Sequence, residues 1–434
     1  MILLYFLLSV LFLCAPAAAP VRAAESDAAH SAIEEQAAGP ASSGLSLKGQ
    51  AKNLFTYFST DAYLATGRAK ALAADLTRLR LSPELTVSDW LLVHVDYDNE
   101  IIMGGYLKSP EFDMYWRAPD YNDLADLSWE PYYSKDIYYR HAVHRAYAKL
   151  VTGRLTTTVG RQQVRFGSGR LWNPLDILNP ISPTTVEDAG EQKGIDALRL
   201  EHYLTDTTEA GLIFDGKRKN NRDGSNAVSP DNSNIVGRIK TTLGKTEIAA
   251  LGGRIARRAT GGIDASTIVL DGMLRGSMLY SDPEDGASFI LASAGYEYTF
   301  ASGLYFLMEY FYNQNGLNFN DDLRAAYMMS RIAGVNESNY TTLANQFLTY
   351  NQHYAGLALG IDITPLLRGE LFTIYDFQGR GVFVSPSLRY NPFENIDLIA
   401  GVMAAGILPG AAHSSDFEIF EGHSLIFASM AWYF

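Results

Sequence analysis

In the stretch 160–180, GRQQVRFGSGRLWNPLDILNP, Arg161, Gln163 and Arg165 alternate along one face of an extended segment. Arg170 follows Gly-Ser-Gly, and Asp176 stands between two Asn-Pro steps. Glu187, Asp188 and Glu191 come next in SPTTVEDAGE, 182–191, and Arg199 and Glu201 share a face of GIDALRLEHYL, 194–204. Guanidiniums fixed opposite carboxylates across a narrow wet passage create a transverse field that orients dipolar solutes and sets ion preference. The same groups paired with one another fill space and stabilise a wall.

Bond-making chemistry finds less support. His141 and His144 are three apart in an extended segment, so they face opposite sides and cannot jointly hold a metal. The acidic stretch 111–136, with Asp113, Asp120, Asp123, Asp126, Glu130 and Asp136, lacks the ordered spacing of a calcium loop. DGKRKNNRDGSN, 215–226, has turn-forming residues, and Gly252-Gly253 and Gly261-Gly262 read as strand bends. No motif joins a Ser or other nucleophile to a base and an orienting partner. The expectation is a protein that is not an enzyme, with no cofactor and no metal.

The elements around the arginines must position them. From Leu155 to Phe166 the alternation groups Arg161, Gln163 and Arg165 with Leu155, Thr157 and Val159. Arg or Lys at a lipid midplane costs about 2–4 kcal/mol, so in a membrane wall these arginines are expected to face the lumen. Beyond them, Asn173 is a candidate N-cap, Pro174 suits a first helical position, and Pro180 stops continuation past Asn179. A single helical turn results, with Leu175, Ile177 and Leu178 seeking an apolar wall. The candidate pore-lining and constriction residues are therefore Arg161, Arg165, Arg170, Asp176, Glu187, Asp188, Arg199 and Glu201.

The chain ends say where such a wall resides. Residues 2–13, ILLYFLLSVLFL, are followed by the small-residue run APAAAPVRA, the layout of a secretory signal peptide with cleavage after Ala23. No Lys or Arg precedes the apolar run. Residues 24–45 read as a flexible periplasmic leader, and 46–434 as one domain. The single cysteine, Cys14, falls in the segment to be removed, which leaves no thiol for disulfides or metal. At the other terminus, HSLIFASMAWYF puts Ile426, Ala428, Met430 and Trp432 on one continuously apolar face and ends on Phe434. This end resembles the carboxy-terminal strand of outer-membrane β-barrels, and the resemblance implies that Trp432 and Phe434 are an assembly signal.

Between these ends, segments of about ten residues alternate in polarity, and 26 Tyr, 21 Phe and 5 Trp supply aromatic girdles. Leu91, Val93, Val95 and Tyr97 oppose His94 and Asp96; Leu198, Leu200 and Leu204 oppose Arg199 and Glu201. Val382, Val384, Leu388 and Tyr390 oppose Ser385, Ser387 and Arg389, while Ile396, Leu398, Ala400 and Val402 line up together. Tight turns at VTGR, LTDT, LGKT and FASG alternate with long polar excursions at 104–136, 166–193, 218–232, 315–344 and 406–422. This is the pattern of an all-β transmembrane antiparallel barrel with about 16–18 strands and long external loops. Seventeen segments are countable. A strand pair within 264–281 would make eighteen, and one segment lost to a loop would make sixteen.

The segment Gly-Arg-Gln, a glycine bend, Asn-Pro-Leu-Asp and a second proline resembles one found in porin-like outer-membrane proteins of Gram-negative bacteria. YTFASGLYFLMEYFYNQNG, YNPFENIDLIAGVMAAG and the last strand are similar to the same broad class. The resemblance covers about half the mature chain and implies passive diffusion through a barrel, with the loop after the fifth strand, about 166–193, folded inward. The expected function is an outer-membrane channel for small hydrophilic solutes or ions. The alternatives are a structural or adhesion protein with a blocked lumen, and a substrate-specific exporter or uptake channel with a periplasmic partner. Expected partners are outer-membrane lipid, lipopolysaccharide and the barrel-assembly machinery. A net charge of −13 argues against nucleic acid. Solute, selectivity, pore size and oligomeric state are not fixed by these patterns.

Overall fold

The computed structural model describes residues 43–60, 70–109, 112–113, 123–180, 183–184, 192–219, 227–333, 343–345 and 347–434. The expected signal peptide and most of the leader lie outside them, as do Glu187, Asp188 and Glu191.

Nineteen strands follow in chain order. They are β1 (Gly44–Thr60), β2 (Lys70–Ser88), β3 (Leu91–Met103), β4 (Ser128–Tyr133), β5 (Ile137–Thr152), β6 (Leu155–Gln162), β7 (Ile195–Tyr203), β8 (Thr208–Asp215), β9 (Asn234–Leu243) and β10 (Thr246–Ile255). The remainder are β11 (Arg258–Val269), β12 (Gly272–Pro283), β13 (Phe289–Thr299), β14 (Tyr305–Asn313), β15 (His353–Thr364), β16 (Leu367–Asp376), β17 (Gly381–Phe393), β18 (Ile396–Ile407) and β19 (Ser424–Tyr433). An α-helix, α1 (Asp321–Ala333), interrupts the long excursion between β14 and β15. The Asn320 side chain caps it by accepting the Leu323 N–H at 2.9 Å.

Every neighbouring pair is antiparallel, and β1 pairs with β19, so the sheet closes on itself. Eighteen strands make the ring, because β3 pairs directly with β5. The six-residue β4 lies on the free upper part of β5, beyond the end of β6. The even count is reached through β11, which is the strand missing from the sequence tally. Its flanking turns are Ala256-Arg257 and Leu270-Asp271, with φ of 45°, 61°, 48° and 60°. These left-handed pairs are two-residue hairpin turns built without the Gly or Asn that signals them.

Alternation sets the two faces. On β3, Asp98, Glu100 and Ile102 are buried inward while Ile101 and Met103 are exposed outward. The same division runs round the ring, with Leu198, Leu212, Ile239, Ile263, Met278, Met308, Ile363, Leu388 and Ile426 outside. In the aromatic hairpin β13–β14, Tyr305 turns inward instead, and its hydroxyl donates to Glu297 Oε2 at 3.0 Å. At the seam, Gly49 and Phe434 exchange backbone hydrogen bonds of 2.8 and 3.0 Å. The Phe434 ring lies over Gly49, where an added Cβ would come within 2.2 Å of Cζ. Glycine is thus what lets the terminal aromatic lie flat beside Trp432, 4.8 Å away between ring centroids. Turns such as 204–207 and 394–395 occupy one rim, and the long excursions occupy the other.

Candidate channel constriction

β6 is short, and Gly160 near its end has φ 118°, with an added Cβ only 2.3 Å from the Ala146 carbonyl oxygen. No side chain fits there, and the chain bends out of the wall. From this bend residues 163–180 cross the lumen and dock along the walls from β9, three strands from β6, to β15, which lies half way round the eighteen-strand ring. Phe166 lies under the Arg238 guanidinium, 5.8 Å from the ring centroid. The Ser168 N–H and hydroxyl donate to Asp264 Oδ1 on β11 at 3.0 and 2.9 Å. The Arg170 and Trp172 N–H groups donate to the two oxygens of Glu309 on β14 at 3.0 and 2.6 Å. Trp172 stacks on Phe311, with centroids 5.4 Å apart and planes at 5°, over the space left by Gly356.

The loop then turns back. Leu175, Ile177 and Leu178 are buried, as the sequence indicated, with Leu175 filling the space beside Gly262. Pro174, Asp176, Ile177 and Pro180 border a small cavity against Leu279, Phe289, Leu291 and Phe347. In place of the anticipated helical turn there is one hydrogen-bonded turn over 173–176, with Asp176 N–H donating to Asn173 O at 3.0 Å, followed by a tighter bend in which Ile177 N–H donates to Leu175 O at 2.8 Å. Asn173 donates its amide to the Phe166 carbonyl rather than capping a helix. That tie across the loop base takes the Asn173 side chain away from the position in which it would cap a helix. Asn345 Nδ2 fixes the returning chain by donating to Leu178 O at 2.8 Å.

The candidate residues separate into distinct settings. Arg165 remains exposed, with Nε 3.8 Å from Asp176 Oδ2. Burial pushes the Asp176 carboxyl up to about 7 against the pull of that guanidinium. Arg170 reaches across to Glu297 at 3.2 Å, and Glu297 also takes Arg275 at 2.6 Å. Arg199 pairs with Glu201 two residues on, so these two complete a wall ion pair. Arg161 has a different setting from the others. It follows Val159 in register but is only 2% exposed, because residues 123–125 fold over it. Its Nε and Nη2 donate to Asp196 at 2.8 and 2.9 Å, and Nη2 also donates to Ala125 O at 2.7 Å and Asp123 at 3.3 Å. Lys193 and Lys217 approach the same Asp123 at 2.6 and 3.9 Å. This cluster joins the excursion 104–136 to the β6–β7 hairpin; the Arg161 charge does not face open lumen. Arg154 sits on the opposite rim, paired with Asp206 at 3.0 Å.

A second charged array was not singled out in the sequence. On the lumenal face of β2, β3 and β5, Arg80 makes two hydrogen bonds to Asp98 at 2.6 and 2.7 Å. Arg78 donates to Glu100 at 2.7 Å, and Arg140 donates to its other oxygen at 2.9 Å. Below them His94 contacts Asp96 at 3.0 Å and stacks on Tyr147, while Arg145 stands 3.9 Å from Asp96. Its signal was available: TRLRLS and HVDYDNEI carry opposite charges at alternate positions of consecutive strands. The carboxylates of Asp98 and Glu100 are 3% and 2% exposed, whereas Arg140 and Arg145 keep 25% and 21% of their side-chain surface. The acids are covered together with Arg78 and Arg80, and Arg140 and Arg145 are the cations that keep surface toward the lumen.

No protein-family model and no curated protein sequence matches the chain. Solved structures do. OccAB1 of Acinetobacter baumannii aligns over 89% of this chain and 96% of its own, with 10% identity and a TM-score of 0.53. OpdK of Pseudomonas aeruginosa, in a structure with vanillate, aligns over 89% and 98%, with 9% identity and a TM-score of 0.52. A BenF-like porin of Pseudomonas fluorescens Pf-5 aligns over 90% and 98%, with 8% identity and a TM-score of 0.51. Nearly the full length of each is matched, and the eighteen-strand closed barrel described above is the fold of these outer-membrane porins.

Proposed function

We propose that the chain is an outer-membrane channel through which small hydrophilic solutes or ions diffuse passively, narrowed by the loop 163–180. The observation that carries this is the docking of that loop: backbone N–H groups of Arg170 and Trp172 on the Glu309 carboxylate, on the wall opposite the loop's origin. A loop so held narrows one side of the lumen and leaves the array on β2, β3 and β5 uncovered by it. An outward apolar face and an inward charged face suit hydrocarbon outside and water inside. Export through a signal peptide and insertion by the barrel-assembly machinery, with Trp432 and Phe434 as its signal, complete the reading, as do contacts with outer-membrane lipid and lipopolysaccharide.

The constriction carries cations on both sides. Arg165 and Arg170 are exposed on the loop, and Arg140 and Arg145 face the lumen from the other wall. Solutes with a negative end are therefore the favoured class. The test is planar-bilayer recording of the refolded mature chain, with reversal potentials in a salt gradient and sugars of graded size in liposome swelling. Discrete conductance steps with a preference for chloride over potassium are expected, and vanillate is the first organic anion to try as a blocker. A lumen that passes neither ions nor sugar would sink the channel reading and leave a structural or adhesion role.

A further inference from the structure

Among the described residues, the outward face of the barrel holds a discordant patch on β1, β2, β3 and β5. Asn53 on β1, Asp75 and Thr77 on β2, and Asn99 on β3 share register with the exposed Tyr57, Leu79, Ile101 and Met103, so they point away from the lumen. Asn53 Nδ2 donates to Asp75 Oδ1 at 2.7 Å and to Thr77 Oγ1 at 3.0 Å. Next to Asn99 on β5, His141 also faces outward, and its Nδ1 shares a 2.7 Å hydrogen bond with the Tyr97 hydroxyl. Apolar side chains bracket the patch along the same strands: Leu47 and Tyr57 on β1, Leu79 and Leu85 on β2, Ile101 and Met103 on β3. On the opposite wall, Leu274, Met278 and Met308 face outward instead.

Hydrocarbon offers a carboxylate and carboxamides no hydrogen bonds, so a belt facing lipid does not keep them there without a covering partner. We propose that the outer face of β1, β2, β3 and β5 is an interface with a second copy of this chain, related by a two-fold axis along the membrane normal. A self-facing contact needs acceptors and donors on the same surface. The patch has both: the Asp75 carboxylate accepts, the Asn53 and Asn99 amides donate and accept, and the His141 ring has a second nitrogen. Ala51, Ala71 and Ala73 on the same face are small, which allows the two walls to approach closely. A copy of the chain is also the one partner guaranteed to sit at the same depth with the same orientation.

This inference rests on the membrane reading of the barrel and not on what passes through it. The test uses Thr77→Cys in the full chain, since Cys14 lies upstream of the barrel. Mild oxidation of native membranes is expected to give a species of twice the chain mass, while Met278→Cys on the far wall gives none. In parallel, Asn53→Leu/Asp75→Leu/Asn99→Leu, which makes the face uniformly apolar, is expected to weaken self-association at least tenfold by light scattering in mild detergent. Its single-barrel conductance should stay unchanged, which separates a lost interface from a lost fold or a mistaken channel. Equal masses for wild type and the triple variant, no Thr77→Cys cross-link, or a cross-link to a different protein would each overturn the proposal.

Discussion

Glu309→Ala removes the carboxylate that holds the loop tip, and its consequence can be worked out from the docking geometry. Glu309 is 2% exposed and accepts the N–H groups of Arg170 at 3.0 Å and Trp172 at 2.6 Å. Hydrogen bonds to a charged acceptor contribute about 1.5–3 kcal/mol each, so the two favour the docked loop by roughly 3–6 kcal/mol. At about 1.4 kcal/mol per decade, the docked-to-undocked ratio falls by roughly 10² to 10⁴. Trp172 on Phe311 and Ser168 on Asp264 remain, so the loop is expected to flicker rather than leave permanently. Single-channel recording should show a larger mean conductance and rapid transitions between two levels. Glu370→Ala is the control: it deletes a lumenal carboxylate paired with Arg368 at 3.1 Å, away from the loop. If Glu309→Ala matches the wild type in conductance and noise, or Glu370→Ala reproduces its effect, the carboxylate is not what holds the constriction in place.

Asp176 should make loop docking pH-dependent. Its folded value of about 7 lies above the 3.8 of an unburied carboxyl, so the docked state binds the extra proton. Stability of docking falls as pH rises from about 4 through 7, by up to roughly 4 kcal/mol, and is flat above that. Channel noise should rise over that window in the wild type and stay level in Asp176→Asn; a parallel rise in both would refute the assignment. Arg161→Ala strands Asp196 and part of Asp123, and losing one partner of a buried pair costs about 3–5 kcal/mol. A lowered unfolding midpoint with little change in ion selectivity is expected. Arg165→Ala should do the reverse, shifting the reversal potential toward cations with stability near wild type. Gly160→Ala puts a Cβ 2.3 Å from a carbonyl oxygen at φ 118°. Strain of about 1–3 kcal/mol should lower the refolded yield in detergent; a normal yield would show the bend is not fixed there.

Much of the barrel was legible because its solvent arrangement is written in period two. Alternation placed Leu91, Val93, Val95 and Tyr97 against His94 and Asp96, and the long excursions fell between the strands that the structure shows. β11 escaped because Gly261 dilutes its outward apolar face, Gly262 leaves a gap on the lumenal one, and its turns, Ala256-Arg257 and Leu270-Asp271, have no glycine at positive φ. The apolar turn of the loop was also readable, since Leu175, Ile177 and Leu178 had to find a wall. Arg161 was harder to read. The strand rule weighed lipid against lumen, whereas a separate segment, 123–125, supplies the cover that makes an outward register tolerable.

The sequence alone determined that this chain builds a closed antiparallel wall with an apolar outside, because the pleat turns every alternate residue to one face and needs only local order to do so. Which charges neutralise one another was decided by tertiary structure. Arg78 meets Glu100, Arg80 meets Asp98, and Arg170 meets Glu297 only once strand register and a loop crossing the lumen bring together residues far apart in the chain. Composition can state that balance of charges, but only distance in the folded barrel divides the cations into those that hold the wall together and those left facing the water.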